Sequence, residues 1–554
     1  MTSILFLVFY NFLYYLGFGI FNVYLKYKKQ DLSKEYFISG SVKINTFFPL
    51  FALFFIGNSV FILNFFYPIK SISVFLGFIY LFLCFIGIYL QYIYKNNIQN
   101  LLPDVIFPII FGISSYGSRL HYDAGAYHLN NQNWIFNEKI VFGLSNLNIF
   151  YSYGSLQEYL SVIFWPFENF IYLHFINITF FVVLFKFLYN NLINENLNFL
   201  KLSSLFLVGY SFLDNFGING GGNGFFQIQT IGKPDVSVGI LFLISFMIFA
   251  NSFIDNSYLY RDFLFVLFLS FFSFQLKLIG GALIFLLIPL FYKTVISKKL
   301  KFINYIFDMS LFIVLFFLWL LKTYIVSGCL IFPIQTTCFK DTKWIDLDKI
   351  IYSTQKTIKG NFAYSFDQNF TTWLNEWLSN GYSFQVFSNL LISLLALYLA
   401  KLVIFKTKTK FTRLRLVLLL FLLVNIFIFF LTVPVDRNGY GIWASLVCLI
   451  VLNAQSFRFK YSEILLNKLL ITAAIIFVVL LSPRMYMYEE FIKNYSNNYN
   501  LGPKEVEYIT NSDGLSLLPK EGNQCWISSY CLLYSTNINE VKNGSYRMFL
   551  PEGR

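Results

Sequence analysis

The chain has 554 residues, of which 57% are hydrophobic and only 12% charged; Phe alone accounts for 72 and Tyr for 39. This excludes an ordinary soluble multidomain protein, because apolar runs of about 18–25 residues, the length that crosses a bilayer core, recur along most of the chain. The excess of 41 basic over 28 acidic residues, a formal net charge of +13, is divided into short clusters between those runs, which is a topology signal and not the footprint of a nucleic-acid partner; none is expected.

In chain order the predicted spans are 4–25, 45–66, 72–93, 104–117, 169–189, 202–214, 235–254, 261–277, 279–294, 304–326, 386–405, 414–434, 440–455 and 464–482. Those beginning at 104, 202, 261 and 440 are short for a straight crossing, so the expected fold class is an all-α integral membrane bundle of about 12–14 transmembrane helices. The first span has no basic region before it and no small-residue cleavage site after it, and reads as a retained helix. No repeat of 20–50 residues is visible, which argues against an internally duplicated transporter.

Four basic clusters fix the expected orientation: Lys26, Lys28, Lys29 and Lys34; Lys293, Lys298, Lys299 and Lys301; Lys406, Lys408, Lys410, Arg413 and Arg415; Arg458 and Lys460. Strict alternation puts all of them on one side, which the positive-inside rule makes the cytoplasm. Segments 118–168, 215–234, 327–385 and the tail from 483 then face outward. The organisation expected is N-terminal transmembrane helices over 1–103, a core over 104–345, an outer loop over 346–385, C-terminal transmembrane helices over 386–482, and an outer tail or small subdomain over 483–554. Cys329 with Cys338, and Cys525 with Cys531, fall outside and read either as two short disulfide loops or as free thiols.

Ionisable residues bordering an apolar core are costly, so they mark where function is to be sought. Segment 118–168 is richest in them, with His121, Asp123, Tyr127 and His128 inside eight residues, followed by Trp134 and Asn146. An Asp at the water–membrane boundary can take a proton from a hydroxyl nucleophile, while Tyr and His hydrogen-bond a polar substrate such as a sugar. Two other readings stay open: an interfacial loop whose aromatic rings anchor at headgroup depth, and a metal set of His121, Asp123 and His128. No cofactor is required, although a divalent metal is compatible.

Gly217–Gly224 forms a glycine-rich stretch, either a flexible linker or a close approach to a ligand. Asp235 opens an apolar span, as a helix cap or a substrate contact. Lys277 either snorkels to the interface or joins Lys233, Lys322 and Arg437 in a positive pocket for a lipid-linked phosphate.

Four stretches over about residues 118–345 carry a family resemblance: Asp123-x-Gly-x-Tyr127-His128-Leu with Trp134 and Gly-Leu-Ser-Asn146-Leu; Lys233-Pro-Asp235; Leu276-Lys277-Leu; and Trp319-Leu-Leu-Lys322 with Ser327-Gly328, Phe332-Pro333 and Trp344; Asp436-Arg437-Asn-Gly439 looks like a later motif of the same family. In order and spacing the chain resembles bacterial membrane glycosyltransferases of the GT-C superfamily. Relatives often carry His where this chain has Asn148, and Phe where it has Asn438.

The resemblance implies a GT-C-like bundle in the bacterial inner membrane with its site facing outward and Asp123 as catalytic base. Tyr127, His128, Trp134, Asn146, Lys233, Asp235, Lys277, Lys322 and Arg437 would bind substrate. The implied partners are a polyprenyl-phosphate-linked sugar donor, a glycan or lipid acceptor, and membrane lipid. The alternatives are a polymerase or ligase of lipid-linked glycans, and a flippase or transporter. The topology is directly testable: a reporter active only outside the cytoplasm should be active when fused after Gly328 and silent when fused after Lys408, and the reverse pattern would overturn the orientation.

Overall fold

The computed structural model describes residues 2–28, 36–39, 41–94, 102–113, 115, 120, 122–193, 198–211, 233–254, 260–296, 302–360, 362–380, 383, 386–387, 391, 413–453, 502–512, 514–532 and 538–551. Its helices are α1 (Thr2–Tyr27), α2 (Phe48–Asn64), α3 (Ile69–Tyr94), α4 (Phe107–Ile113), α5 (Leu129–Asn137), α6 (Leu156–Ser161), α7 (His174–Leu192), α8 (Phe199–Ser211), α9 (Asp235–Ile254), α10 (Tyr260–Leu276), α11 (Ile284–Phe291), α12 (Phe302–Ser327), α13 (Leu347–Gly360), α14 (Phe370–Leu378), α15 (Arg413–Thr432) and α16 (Asp436–Asn453). Among the described residues seven helices are long and apolar enough to cross a membrane, and shorter apolar helices occupy 102–113, 199–208 and 278–294. The predicted spans at 386–405 and 464–482 lie largely or wholly outside the described residues.

In a bilayer, apolar surface gains little by leaving lipid for protein, so close backbone approach and polar ties do much of the work of holding helices together. Helices α9 and α16 meet through Gly239 and Gly441: a Cβ on Gly441 would stand 2.9 Å from the Gly239 carbonyl oxygen. Polar ties secure both ends of the bundle. At one end, Asn64 of α2 donates to the carbonyls of Ile135 (3.1 Å) and Glu138 (2.9 Å). At the other, Asp262 accepts from Ser39 N (2.8 Å) and Ser252 Oγ (2.6 Å), and Lys28 pairs with Asp308. Lys26, Lys28, Lys293, Arg413 and Arg415 also belong to this second end, where α1 stops and α15 starts.

The segment expected as the first loop is folded at the opposite end of the bundle. It consists of a π turn leading into α5, and of α6, joined to α5 by short 3-10 turns, which bring successive side chains to bear at spacings a regular helix lacks. The segment after α12 begins with a hairpin closed by the Cys329–Cys338 disulfide and continues into α13 and α14. Trp373 and Trp377 of α14 are structural: their indole N–H groups donate to the carbonyls of Phe362 (2.8 Å) and Pro434 (3.2 Å), and both rings pack on Phe430.

The described tail forms two antiparallel hairpins, β1 (Tyr508–Thr510) with β2 (Leu517–Pro519), and β3 (Ile538–Asn543) with β4 (Tyr546–Pro551), plus a loop closed by Cys525–Cys531. It docks on the first segment. The Phe142 amide donates to the Arg547 carbonyl (3.0 Å) and the Phe142 carbonyl accepts from Phe549 N (2.9 Å), Arg547 pairs with Glu138 (2.9 Å), and the Trp526 amide donates to the Gly125 carbonyl (2.7 Å). Trp526 lies flat enough on Gly125 that a Cβ there would fall 2.8 Å from the indole. Gly125→Ala is therefore expected to cost about 1–3 kcal/mol by overpacking and to loosen the tail, read as faster limited proteolysis at Lys520; unchanged proteolysis and thermal stability would refute the docking.

Candidate functional site

Two carboxylates and three cations converge where α9, α10 and α16 end. Asp235, the first residue of α9, is buried and pairs with Lys277, the residue after α10, and with Arg437, the second residue of α16, its Oδ2 3.7 Å from Arg437 Nε. The side chains of Lys277 and Arg437 are each 36% exposed and that of Asp235 only 4%, so the carboxylate is a buried anchor and the cations keep open faces toward a ligand. Lys277 also donates to Asn438 Oδ1 (2.7 Å). Two residues before Asp235, the buried Lys233 Nζ lies 3.6 Å from Asp123 Oδ2, and the Asp123 side chain is 27% exposed.

The turn bearing Lys233 is held from inside the bundle. Asn177 of α7 donates to the Lys233 carbonyl (3.4 Å) and accepts from Gln157 of α6 (2.9 Å). Ser155 caps α6 by accepting from Gln157 N (3.2 Å) and donates to the Leu276 carbonyl (2.7 Å), which registers α6 against the end of α10 next to Lys277. Burial is the main cause that lowers the Lys233 ammonium to about 8; Arg437 pushes the same way, while Asp123 and Asp235 oppose it.

Tyr127 and His128 lie on the π turn after Asp123. The two rings are 4.2 Å apart, and Tyr127 stacks on Phe150 at 5.0 Å. Burial raises the Tyr127 phenol well above its ordinary value, reinforced by the Asp123, Asp235 and Glu158 carboxylates, so it remains a neutral hydrogen-bonding group. His128 Nδ1 is 3.0 Å from Glu158 Oε1, and Asn131 donates to Glu158 Oε2. With Gln132, Ser155 and Gln157, this pair borders a cavity of about 10 Å³, the size of a single water sphere.

The sequence model of a family described as "Domain of unknown function (DUF8201)" matches residues 1–444. The chain belongs to that family. No curated protein and no solved structure matches it. The DUF8201 span includes every residue of the charged cluster, while the docked tail lies wholly beyond it.

The DUF8201 fold thus brings together Asp123, Tyr127, His128, Lys233, Asp235, Lys277 and Arg437. It places three other candidates differently. Trp134 is buried edge-on between Tyr530 and Phe549 of the tail. Asn146 donates to the carbonyls of Trp344 (3.0 Å) and Phe549 (2.8 Å), so its amide N–H groups are engaged with backbone. Lys322 lies beside Gly154, outside the paired cations. Asn148, a point of departure from the GT-C pattern, accepts from Phe150 N (3.0 Å) and reaches the Ala126 carbonyl (3.4 Å), tying the two turns together. His121 and the glycine-rich stretch Gly217–Gly224 lie outside the described residues, and among those described no three His, Cys, Asp or Glu side chains converge on a metal position.

Sequence reasoning missed Glu158, whose signal was available: an acid in Ser155-Leu-Gln-Glu158-Tyr-Leu, flanked by apolar residues. Glu158→Gln removes the charged acceptor from His128 and Asn131 and is expected to cost about 1–3 kcal/mol, seen as a lower unfolding midpoint in detergent. Unchanged stability would show that the pair is not a structural tie.

Proposed function

We propose that this protein is a GT-C-type membrane glycosyltransferase that moves a sugar from a polyprenyl-phosphate carrier to a glycan or lipid acceptor on the outer face of a bacterial inner membrane. The observation that carries the reading is the pairing of a partly exposed carboxylate, Asp123, with a cluster in which three cations face only two carboxylates. One carboxylate suits a proton acceptor, and the surplus cation suits a lipid phosphate. The orientation is supported by Lys26, Lys28, Lys293, Arg413 and Arg415, which belong to the end of the bundle away from this cluster.

In this mechanism Asp123 takes the proton of the acceptor hydroxyl as its oxygen attacks the anomeric carbon. The bond between that carbon and the phosphate oxygen breaks, and its electron pair leaves with the phosphate, whose charge Arg437, Lys277 and Lys233 balance. Tyr127 and His128, held by Glu158, orient the reacting sugars by hydrogen bonding. Inversion at the anomeric carbon follows from the single displacement.

Two variants separate the roles. With purified protein and a polyprenyl-phosphate sugar, Asp123→Asn should lower turnover by about 10²–10⁴-fold with donor binding largely kept. Arg437→Ala should weaken donor binding by about tenfold. Near-normal transfer by Asp123→Asn would exclude it as the base, and transport without transfer would favour a flippase.

The same site predicts a pH dependence. The donor is a phosphodiester whose charge is constant between pH 7 and 9, whereas Lys233 is cationic at pH 7 and loses its proton as the pH rises through about 8. Donor affinity should therefore fall across that window in the native protein and stay flat in Lys233→Arg. A flat native profile would remove Lys233 from the phosphate site.

A further inference from the structure

Of the four cations expected to share one pocket, Lys322 alone stands without a carboxylate within ion-pair distance among the described residues, and it is only 4% exposed. Its ammonium rests against Gly154, a residue at φ +38° whose missing side chain makes the room: a Cβ there would overlap Nζ. The attractions on the charge are the Trp319 ring, 5.6 Å away, and the longer-range field of Glu158. A buried cation so weakly compensated is costly unless a ligand completes it. Tyr153, the residue before Gly154, is 40% exposed, and the hydroxyl of the buried Ser152 has no hydrogen-bond partner among the described residues. Tyr153 also stacks on Phe150 at 6.1 Å, and Phe150 stacks on Tyr127, so a line of rings joins this point to the Asp123 cluster.

We propose that Lys322 and the Ser152–Gly154 turn form a separate oxyanion subsite that takes an acidic substituent, carboxylate or phosphate, on the acceptor saccharide. This rests on the reading of the site as one that handles sugars. The donor phosphate is assigned to the other cluster, where Lys277 and Arg437 keep open faces; Lys322 rests on a turn that carries an exposed aromatic ring, Tyr153, and a buried hydroxyl, Ser152, the chemistry that meets a charged sugar.

The test is equilibrium binding, without turnover, of the full chain in nanodiscs to a trigalacturonate, its carboxyl-reduced neutral counterpart, and undecaprenyl phosphate. The native protein should bind the acidic trimer at least about tenfold tighter than the neutral one. Lys322→Met should abolish that preference and leave undecaprenyl phosphate affinity within about twofold. Gly154→Ala, which drives a methyl into the ammonium's position, should act the same way and serves if Lys322→Met does not fold. Equal binding of both trimers by the native protein, or a preference that survives both substitutions, removes the subsite alone. Loss of undecaprenyl phosphate binding in place of the acidic preference returns Lys322 to the carrier site. Binding of neither trimer removes the subsite together with the saccharide reading.

Discussion

Asp235 is the constraint on which this end of the molecule depends. A carboxylate at the start of an apolar helix, almost wholly withdrawn from water, has to be neutralised, and the cations that do so come from the ends of two other helices. Lys277 follows α10 and Arg437 opens α16, so satisfying one charge draws three helix ends together. The close crossing at Gly239 and Gly441 permits it, since larger residues there would hold α9 and α16 apart. Once the ends meet, both partly exposed cations stand at the one carboxylate, and Lys233 is delivered beside Asp123 by the same turn that begins α9.

Glu158 supplies the second tie. It occupies a helix of only six residues, yet that helix is registered at three points: its cap reaches the end of α10, its glutamine reaches α7, and its glutamate receives His128 and Asn131. These bonds fix the positions of turns too short to be rigid by themselves. Burial, reinforced by the combined field of Asp123, Asp235 and Glu158, keeps the Tyr127 phenol protonated and makes it the meeting point of both ties.

The tail adds a layer that no membrane helix supplies. Its hairpins and disulfide-closed loop bind backbone groups on both sides of Asp123: Gln524 donates to the Tyr122 carbonyl (3.0 Å) and Trp526 to that of Gly125. Asn130 and Asn133 answer with bonds to the carbonyls of Ser528 and Ile527. The segment that carries the proposed base is thus held between the bundle and a part of the chain lying about 400 residues later in sequence, wholly beyond the family match.

Much of this was legible in the sequence because the bilayer imposes a local rule. A spanning helix needs a run of apolar residues, and such a run can be read without knowing what it packs against; hence α1, α2, α3, α7, α9, α12 and α15 were foreseeable, as were the two cysteine pairs. The charged candidates were legible too, since an acid or a lysine beside an apolar run is expensive wherever it ends up. What they pair with was not: Asp123 with Lys233, Asp235 with Arg437, and Glu158 with His128 are distant in sequence, and formal charge alone offers many matches. Trp134 and Asn146 looked like ligand groups because an indole or an amide serves a substrate and a backbone carbonyl equally well, and only burial against Phe549 decides between them. Lys322 reads like Lys277 in sequence and differs in having no carboxylate within ion-pair distance among the described residues. Composition and spacing determined the membrane bundle and the residues worth examining; the tertiary structure alone decided which charges are already spent on one another, because that depends on distances that only the packed helices set.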